Sequence, residues 1–249
     1  MKQAAAVIVL FLVLAPARAA ATAPESAGAI LKKVDENRVT GNKVILSEMT
    51  IHGRRFSRTV RARSWIQGTE KSFSEYLEPP RERGTKMLKL GDQLWTYYPA
   101  SDRVILIAGH MLRQSVMGSD LSYEDMLEDP TLHDSQQGAV SGEETLLGRP
   151  CWVLDLRALR EDAAYPSRRL WVDRERYTVM REDRFARSGR LLKTAVVESV
   201  LRFGDRWLPD RVRFKDALKE GEGTVFAILE IQFDAAIPGA VFSKAALKK

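Results

Sequence analysis

The chain has 249 residues, a formal charge of +6, 45% hydrophobic residues and one cysteine, Cys151. One cysteine excludes an internal disulfide, so stability must come from a buried core. Basic residues are interspersed with acidic ones except in Arg54-Arg55…Arg58…Arg61…Arg63 and at Lys248-Lys249, a pattern that suits an anionic surface or a solvated strand face.

At the N-terminus Met1-Lys2 is followed by an apolar run, Ala4 to Leu14, then Pro16 and the small-x-small sequence Ala17-Arg18-Ala19. This is the layout of a secretory signal peptide, and the run falls short of the about 20 residues a membrane span needs. Residues 1–20 are therefore predicted to be removed, with cleavage near Ala19 to Ala23. Residues 21–249 are expected to form one exported, periplasmic domain. Loss of Lys2 and Arg18 takes the charge from +6 to +4, and a periplasmic address argues against a nucleic-acid partner.

The first mature segment is predicted to be a helix. Thr22-Ala-Pro-Glu25 reads as a capping box, and Ala27, Ile30, Leu31 and Val34 form one apolar stripe. Gly41-Asn42 ends it. From there the period is two. Lys43 to Ile51 and Phe56 to Ile66 read as a strand pair, followed by Ser72 to Leu77. Pro79-Pro80 demands a loop, and Lys86 to Leu90 and Gln93 to Tyr98 flank the Gly91-Asp92 hairpin. Val104 to Ala108 completes this half. Further strands are expected over Cys151–Leu156, Arg168–Asp173, Thr178–Phe185, Leu191–Phe203, Arg206–Phe214 and Thr224–Phe233. Cys151 reads as a small buried hydrophobe within the first of these. With one helix, about eleven strands and no crossover helices, the chain is mainly β. A large twisted antiparallel sheet curls into a barrel or half-barrel.

One stretch interrupts the strands: "GHMLRQSVMGSDLSYEDM", Gly109 to Met126. Its His110, Ser119 and Asp120 could in principle make a triad, since triads are defined by geometry. No Gly-x-Ser-x-Gly, metal-ligand spacing or phosphate loop accompanies them, so no catalytic residue, metal or cofactor is assigned. Methionines adapt to irregular apolar shapes, and Ser119 or Asp120 can cap a following short helix. Met111, Leu112, Met117, Leu121, Tyr123 and Met126 are accordingly predicted to form a lid over the mouth of the curled sheet.

The segments "ILKKVDEN", "MTIHGRRFSRTVRARSWIQG", "PPRERGTKMLKLGDQLWTYYP", "GRPCWVLDL", "LWVDRERYTVMREDRF" and "FGDRWLPDRVRF", with the lid stretch above all, resemble the outer-membrane lipoprotein-sorting proteins of the LolA-like superfamily, in an uncharacterised branch. The resemblance covers nearly the whole mature chain. It implies an unclosed antiparallel β-barrel with an N-terminal helix and short lid helices over an apolar cavity. It also implies a non-enzymatic periplasmic carrier. Such a carrier takes the acyl chains of a lipoprotein or other lipid from an inner-membrane transporter complex toward the outer membrane. Phe56, Val60, Leu94, Trp95, Tyr97, Leu154, Leu229 and Ile231 are the cavity-lining candidates. The alternative is a periplasmic sensor or regulatory module that binds a lipid or protein on the same scaffold.

Overall fold

The computed structural model describes residues 25–38, 41–128, 131–204 and 206–249. The predicted signal peptide and the predicted Thr22 cap lie outside the described residues.

Helix α1 (Ala27–Arg38) follows from its apolar spacing, with Ala27, Ile30, Leu31 and Val34 all buried. The hydroxyl that receives a first-turn amide is Ser26's, from Ala29 N–H at 3.2 Å. Glu25 instead pairs with Lys33 at 2.8 Å and accepts from the Tyr177 hydroxyl at 3.1 Å. Burying the three larger side chains contributes roughly 5–9 kcal/mol.

The strands number thirteen rather than about eleven, in one continuous sheet. The first half comprises β1 (Asn42–His52), β2 (Ser57–Gln67), β3 (Lys71–Glu78), β4 (Lys86–Leu90), β5 (Gln93–Tyr98) and β6 (Arg103–Ile107). The second comprises β7 (Gln136–Leu146), β8 (Arg149–Ala158), β9 (Ser167–Asp173), β10 (Val179–Phe185), β11 (Leu191–Phe203), β12 (Arg206–Asp216) and β13 (Gly223–Phe233). Two antiparallel meanders meet where β1 pairs with β13, and β6 and β7 are the free edges. The sheet is an open barrel.

This topology has a direct consequence. β6 and β7 are consecutive in sequence but lie at opposite edges, so the connection between them must cross a face of the curled sheet. That connection holds the methionine-rich stretch. It packs on Met49, Ile51, Val60, Leu94 and Ile107, while α1 covers Leu154, Leu156, Leu170 and Val172 of the other half. On the opposite face, Phe242 and Leu247 of the C-terminal segment pack on Phe73, Leu88 and Trp95. Among the described residues no helix is long and apolar enough to cross a membrane.

β12 and β13 pair only over Arg211–Phe214 and Thr224–Ala227. Beyond this, β12 stays with β11 as far as Arg206 and β13 stays with β1 as far as Phe233. The two halves of the sheet part there, bridged by Phe203 and Phe233 with ring centroids 4.0 Å apart.

The turn into β13 depends on Gly223. Its φ is +94°, and an added Cβ would sit 2.4 Å from the Phe214 carbonyl oxygen. Left-handed strain and overpacking together should cost roughly 2–4 kcal/mol. Gly223→Ala is therefore expected to lower the melting temperature by roughly 5–15 °C, as read by calorimetry.

Candidate functional site

The connection is built from short pieces. Two 3₁₀ turns, Gly109–Arg113 and Val116–Gly118, precede helix α2 (Tyr123–Leu127). Ser115 and Ser122 form an isolated antiparallel bridge, closed by Val116 N–H to the Leu121 carbonyl at 2.8 Å. Met117 and Gly118 both have positive φ, +51° and +71°, which turns the chain sharply between the bridged serines. This loop presents Val116, Leu121 and Tyr123 to the sheet. All three are buried, with Met111, Leu112 and Met117 packed beside them.

The helix cap differs from the sequence expectation. Ser122, rather than Ser119 or Asp120, caps α2 in a reciprocal box with Asp125. Asp120 has another task. Its Oδ2 accepts from the Thr224 hydroxyl at 2.7 Å and its Oδ1 from Asp216 N–H at 2.9 Å. Its own N–H donates to Thr224 Oγ1 at 3.0 Å. Lys219 Nζ donates to Ser115 Oγ and the Ser119 carbonyl. Together these tie the Gly-Ser-Asp turn to β12, β13 and the loop between them. Ser119 Oγ bonds only to the backbone of Leu121. Among the described residues, His110 makes no hydrogen bond to Ser119 or Asp120, and no triad is assembled.

A second tie holds α2 over β9, β10 and β11. Asp125 accepts from the Tyr165 hydroxyl at 2.7 Å and from Arg184 at 3.0 Å, and it pairs with Lys193. Glu128 pairs with Arg168 and, at 3.0 Å, with Arg184. Glu182 lies between the same two arginines, 2.7 Å from Arg168 and 3.1 Å from Arg184. Burial raises the Asp125 carboxyl, but Lys193 and Arg184 outweigh it and hold the group below its ordinary range. Sequence reasoning missed this network. Glu182 and Arg184, two apart in β10, must share a face, and that is the available signal.

The lid candidates cluster except at one end: Met126 is 36% exposed and lines a different feature. The cavity candidates are dispersed. Val60 and Leu94 pack beneath the lid, and Leu154 packs beneath α1. Trp95 and Tyr97 belong to the opposite face, with the C-terminal segment. Phe56, 73% exposed, sits before β2, Leu229 is also exposed, and Ile231 is half-buried. Leu94 and Trp95 are adjacent in one strand, so only one of them can face the lid.

At the far rim a cavity of about 220 Å³ opens between the end of α1 and the β2–β3 hairpin, lined by Arg38, Lys43, Lys71, Lys89, Met126 and Glu128 among others. Cys151 is fully buried, on the face of β8 opposite Trp152 and Leu154. Burial first, then the charge of Asp173, pushes its thiol up to about 11. Native protein at pH 8 should therefore react with a thiol reagent at least about 100-fold more slowly than urea-unfolded protein. A stopped-flow labelling trace checks this.

No curated protein matches the sequence. Solved structures are similar in shape. A DUF1329 family protein from Desulfovibrio piger superposes with a TM-score of 0.82 at 22% identity, covering 88% of this chain and 97% of that one. A domain named for outer membrane lipoprotein sorting, from Vibrio parahaemolyticus, gives 0.76 at 22%, covering 88% and 98%. A LolA superfamily protein from Nitrosomonas europaea gives 0.73 at 24%, covering 89% and 99%. A family model described as "Uncharacterized protein" matches residues 68–249. The chain therefore belongs to that family of uncharacterized proteins, and its fold is LolA-like.

Proposed function

We propose that the protein is a periplasmic carrier, released from a signal peptide spanning residues 1–20, with residues 21–249 as its single lipid-binding domain. It takes the acyl chains of a lipoprotein or other lipid on the face now covered by the lid. It receives its cargo from an inner-membrane transporter complex and hands it on toward the outer membrane. It performs no catalysis.

The observation that carries this reading is the lid itself. An apolar surface on the sheet is covered by a segment of short helical turns, fixed mainly at two polar points, Asp120 and the Asp125–Glu128 pair. Magnitudes make the exchange workable. Burying a dozen methylenes is worth roughly 10 kcal/mol at about 0.8 each. Withdrawing Val116, Leu121 and Tyr123 forfeits roughly 5–9 kcal/mol. These apolar terms are of similar size. The likeness to a lipoprotein-sorting domain points the same way.

The test is native mass spectrometry of protein purified from periplasm without detergent, with extraction of whatever is bound. A stoichiometric acyl-bearing compound is expected. Protein that arrives empty and also fails to take up a fluorescent fatty acid would overturn the carrier reading in favour of a protein-binding or sensor module.

A further inference from the structure

The basic run that begins at Arg54 forms the tip of the β1–β2 hairpin, at the end of the sheet where Asp120 ties down the lid. The tip is fixed by Gly53 N–H donating to the Phe56 carbonyl at 3.2 Å and by a hydrogen bond of 3.0 Å between His52 Nδ1 and Ser57 Oγ. So held, it keeps Phe56 out in solvent. At 73% this is the most exposed large hydrophobic side chain among the described residues, and it joins none of the hydrophobic clusters. One such residue is ordinary on a protein surface. Here the adjoining loop carries a second. The β12–β13 loop is held against the tip by Glu222 N–H to the His52 carbonyl at 3.2 Å and by Arg54 to Glu220 at 3.3 Å. Its Leu218 is 58% exposed.

The charge around these two side chains is mostly of one sign. A third loop, between β3 and β4, joins the tip through Arg58 and Glu82 at 3.3 Å. Residues 53–58, 79–85 and 217–222 together hold six basic side chains and three acidic ones. Glu82 and Glu220 are taken by Arg58 and Arg54, and Lys219 is occupied with Ser115 and the Ser119 carbonyl. Arg55 and Arg81 are exposed and make no hydrogen bond or ion pair among the described residues. Arg83 gives its Nε–H to the uncharged Leu77 carbonyl at 3.0 Å. Glu222 is the one carboxylate of these loops left to set against three arginines. At the adjoining strand ends Glu78 is paired with Arg61 at 3.5 Å, and Lys215 and Asp216 cancel in charge.

We infer that this end of the sheet docks on an anionic phospholipid bilayer. Phe56 and Leu218 suit the boundary between headgroups and acyl chains, and the arginines beside them suit lipid phosphates. An acidic protein would need an apolar pocket placed next to its carboxylates to match the same surface. A bilayer offers both without one. The position also has a consequence for the lid. Lys219 follows Leu218 directly and holds Ser115 and Ser119, so a bilayer at this end lies beside one of the points that fix the lid. The surface stands independently of the carrier reading, since none of the arginines it uses belongs to the apolar face beneath the lid.

The experiment is flotation of the full mature protein with vesicles of phosphatidylglycerol and phosphatidylcholine, and with vesicles of phosphatidylcholine alone, at low and high salt. The protein is expected to float with the anionic vesicles, less so as salt rises, and poorly with the neutral ones. Arg55→Gln and Arg81→Gln should each lower the partition coefficient about fivefold, and Phe56→Ala roughly tenfold. Leu147→Ala, at an exposed residue in the β7–β8 turn at the opposite end of the sheet, should float like the wild type. Arginine and Phe56 variants that float like the wild type, or an equal loss in Leu147→Ala, would overturn the proposal. Binding to polyglutamate but to no vesicle would overturn it in favour of an acidic protein partner. Flotation on anionic vesicles with no uptake of a fluorescent fatty acid would keep the surface and refute the carrier. Uptake without flotation would do the reverse.

Discussion

Glu182→Ala is expected to cost about 3–5 kcal/mol, because it removes a buried carboxylate shared by Arg168 and Arg184 and leaves those guanidiniums to Glu128 and Asp125 alone. In a chain of this size that should lower the melting temperature by roughly 6–20 °C. Glu182 is 7% exposed and bridges Arg168 and Arg184. Burial alone would raise its carboxyl, but Arg184 and Arg168 reverse this and hold it at about 2, against an ordinary 4.5. A carboxyl depressed in the folded state contributes stability above its unfolded value and loses it as pH falls through the folded one. The wild type should therefore weaken between pH 4.5 and 2, with Asp125 contributing in the same direction. Urea melts at pH 7 and pH 3 check both halves. The variant's deficit should be large at pH 7 and shrink at pH 3, where the wild type begins to protonate the same group. An undiminished deficit at pH 3 would show that Glu182 acts by packing and not by charge.

Asp120→Ala is the second large effect, and it acts at the other tie. The substitution removes a buried carboxylate and leaves the Thr224 hydroxyl and Asp216 N–H without their acceptor. Hydrogen bonds to a charged group contribute about 1.5–3 kcal/mol each, so a loss of roughly 3–5 kcal/mol is expected. Its local signature is more telling than its size. Releasing the Gly-Ser-Asp turn frees the loop upstream, so trypsin cleavage after Arg113 should accelerate well before the sheet unfolds. Ser119→Ala should cost only about 1 kcal/mol, since its hydroxyl bonds just the backbone of Leu121. Equal proteolytic sensitivity in the two variants would contradict the assignment of Asp120 as the tie.

Both effects concern features that the sequence exposed unevenly. Helix α1 and most strands were legible because their apolar period, near 3.6 or 2, matches a buried face. β7 was not. As an edge strand it buries little, and its Gly138 and Gly142 read as breaks. Yet Gly138 is there because an added Cβ would meet the Asp155 carbonyl oxygen at 2.0 Å. Face assignments failed for a different reason. Alternation says which residues share a side but not which side is inward, so Trp95 and Tyr97 were grouped with Leu94. In β13 the candidates are Leu229 and Ile231, whereas Phe226 is the residue that packs with the lid cluster. A register shift at Leu46/Ser47 of the paired strand breaks the alternation along this stretch. The ion network joins Asp125 to residues 40 to 68 positions away, a separation that no local pattern reveals.

The carrier account stands on the lid leaving its seat when an acyl chain arrives. Hydrogen–deuterium exchange of the mature protein, with and without dodecanoate, measures this directly. Peptides spanning residues 109–128 should exchange faster in the presence of the fatty acid, while those from β1, β2 and β13 keep or gain protection. Binding that leaves 109–128 unchanged, or protects it further, would mean that the chain lodges elsewhere and that the lid is fixed structure.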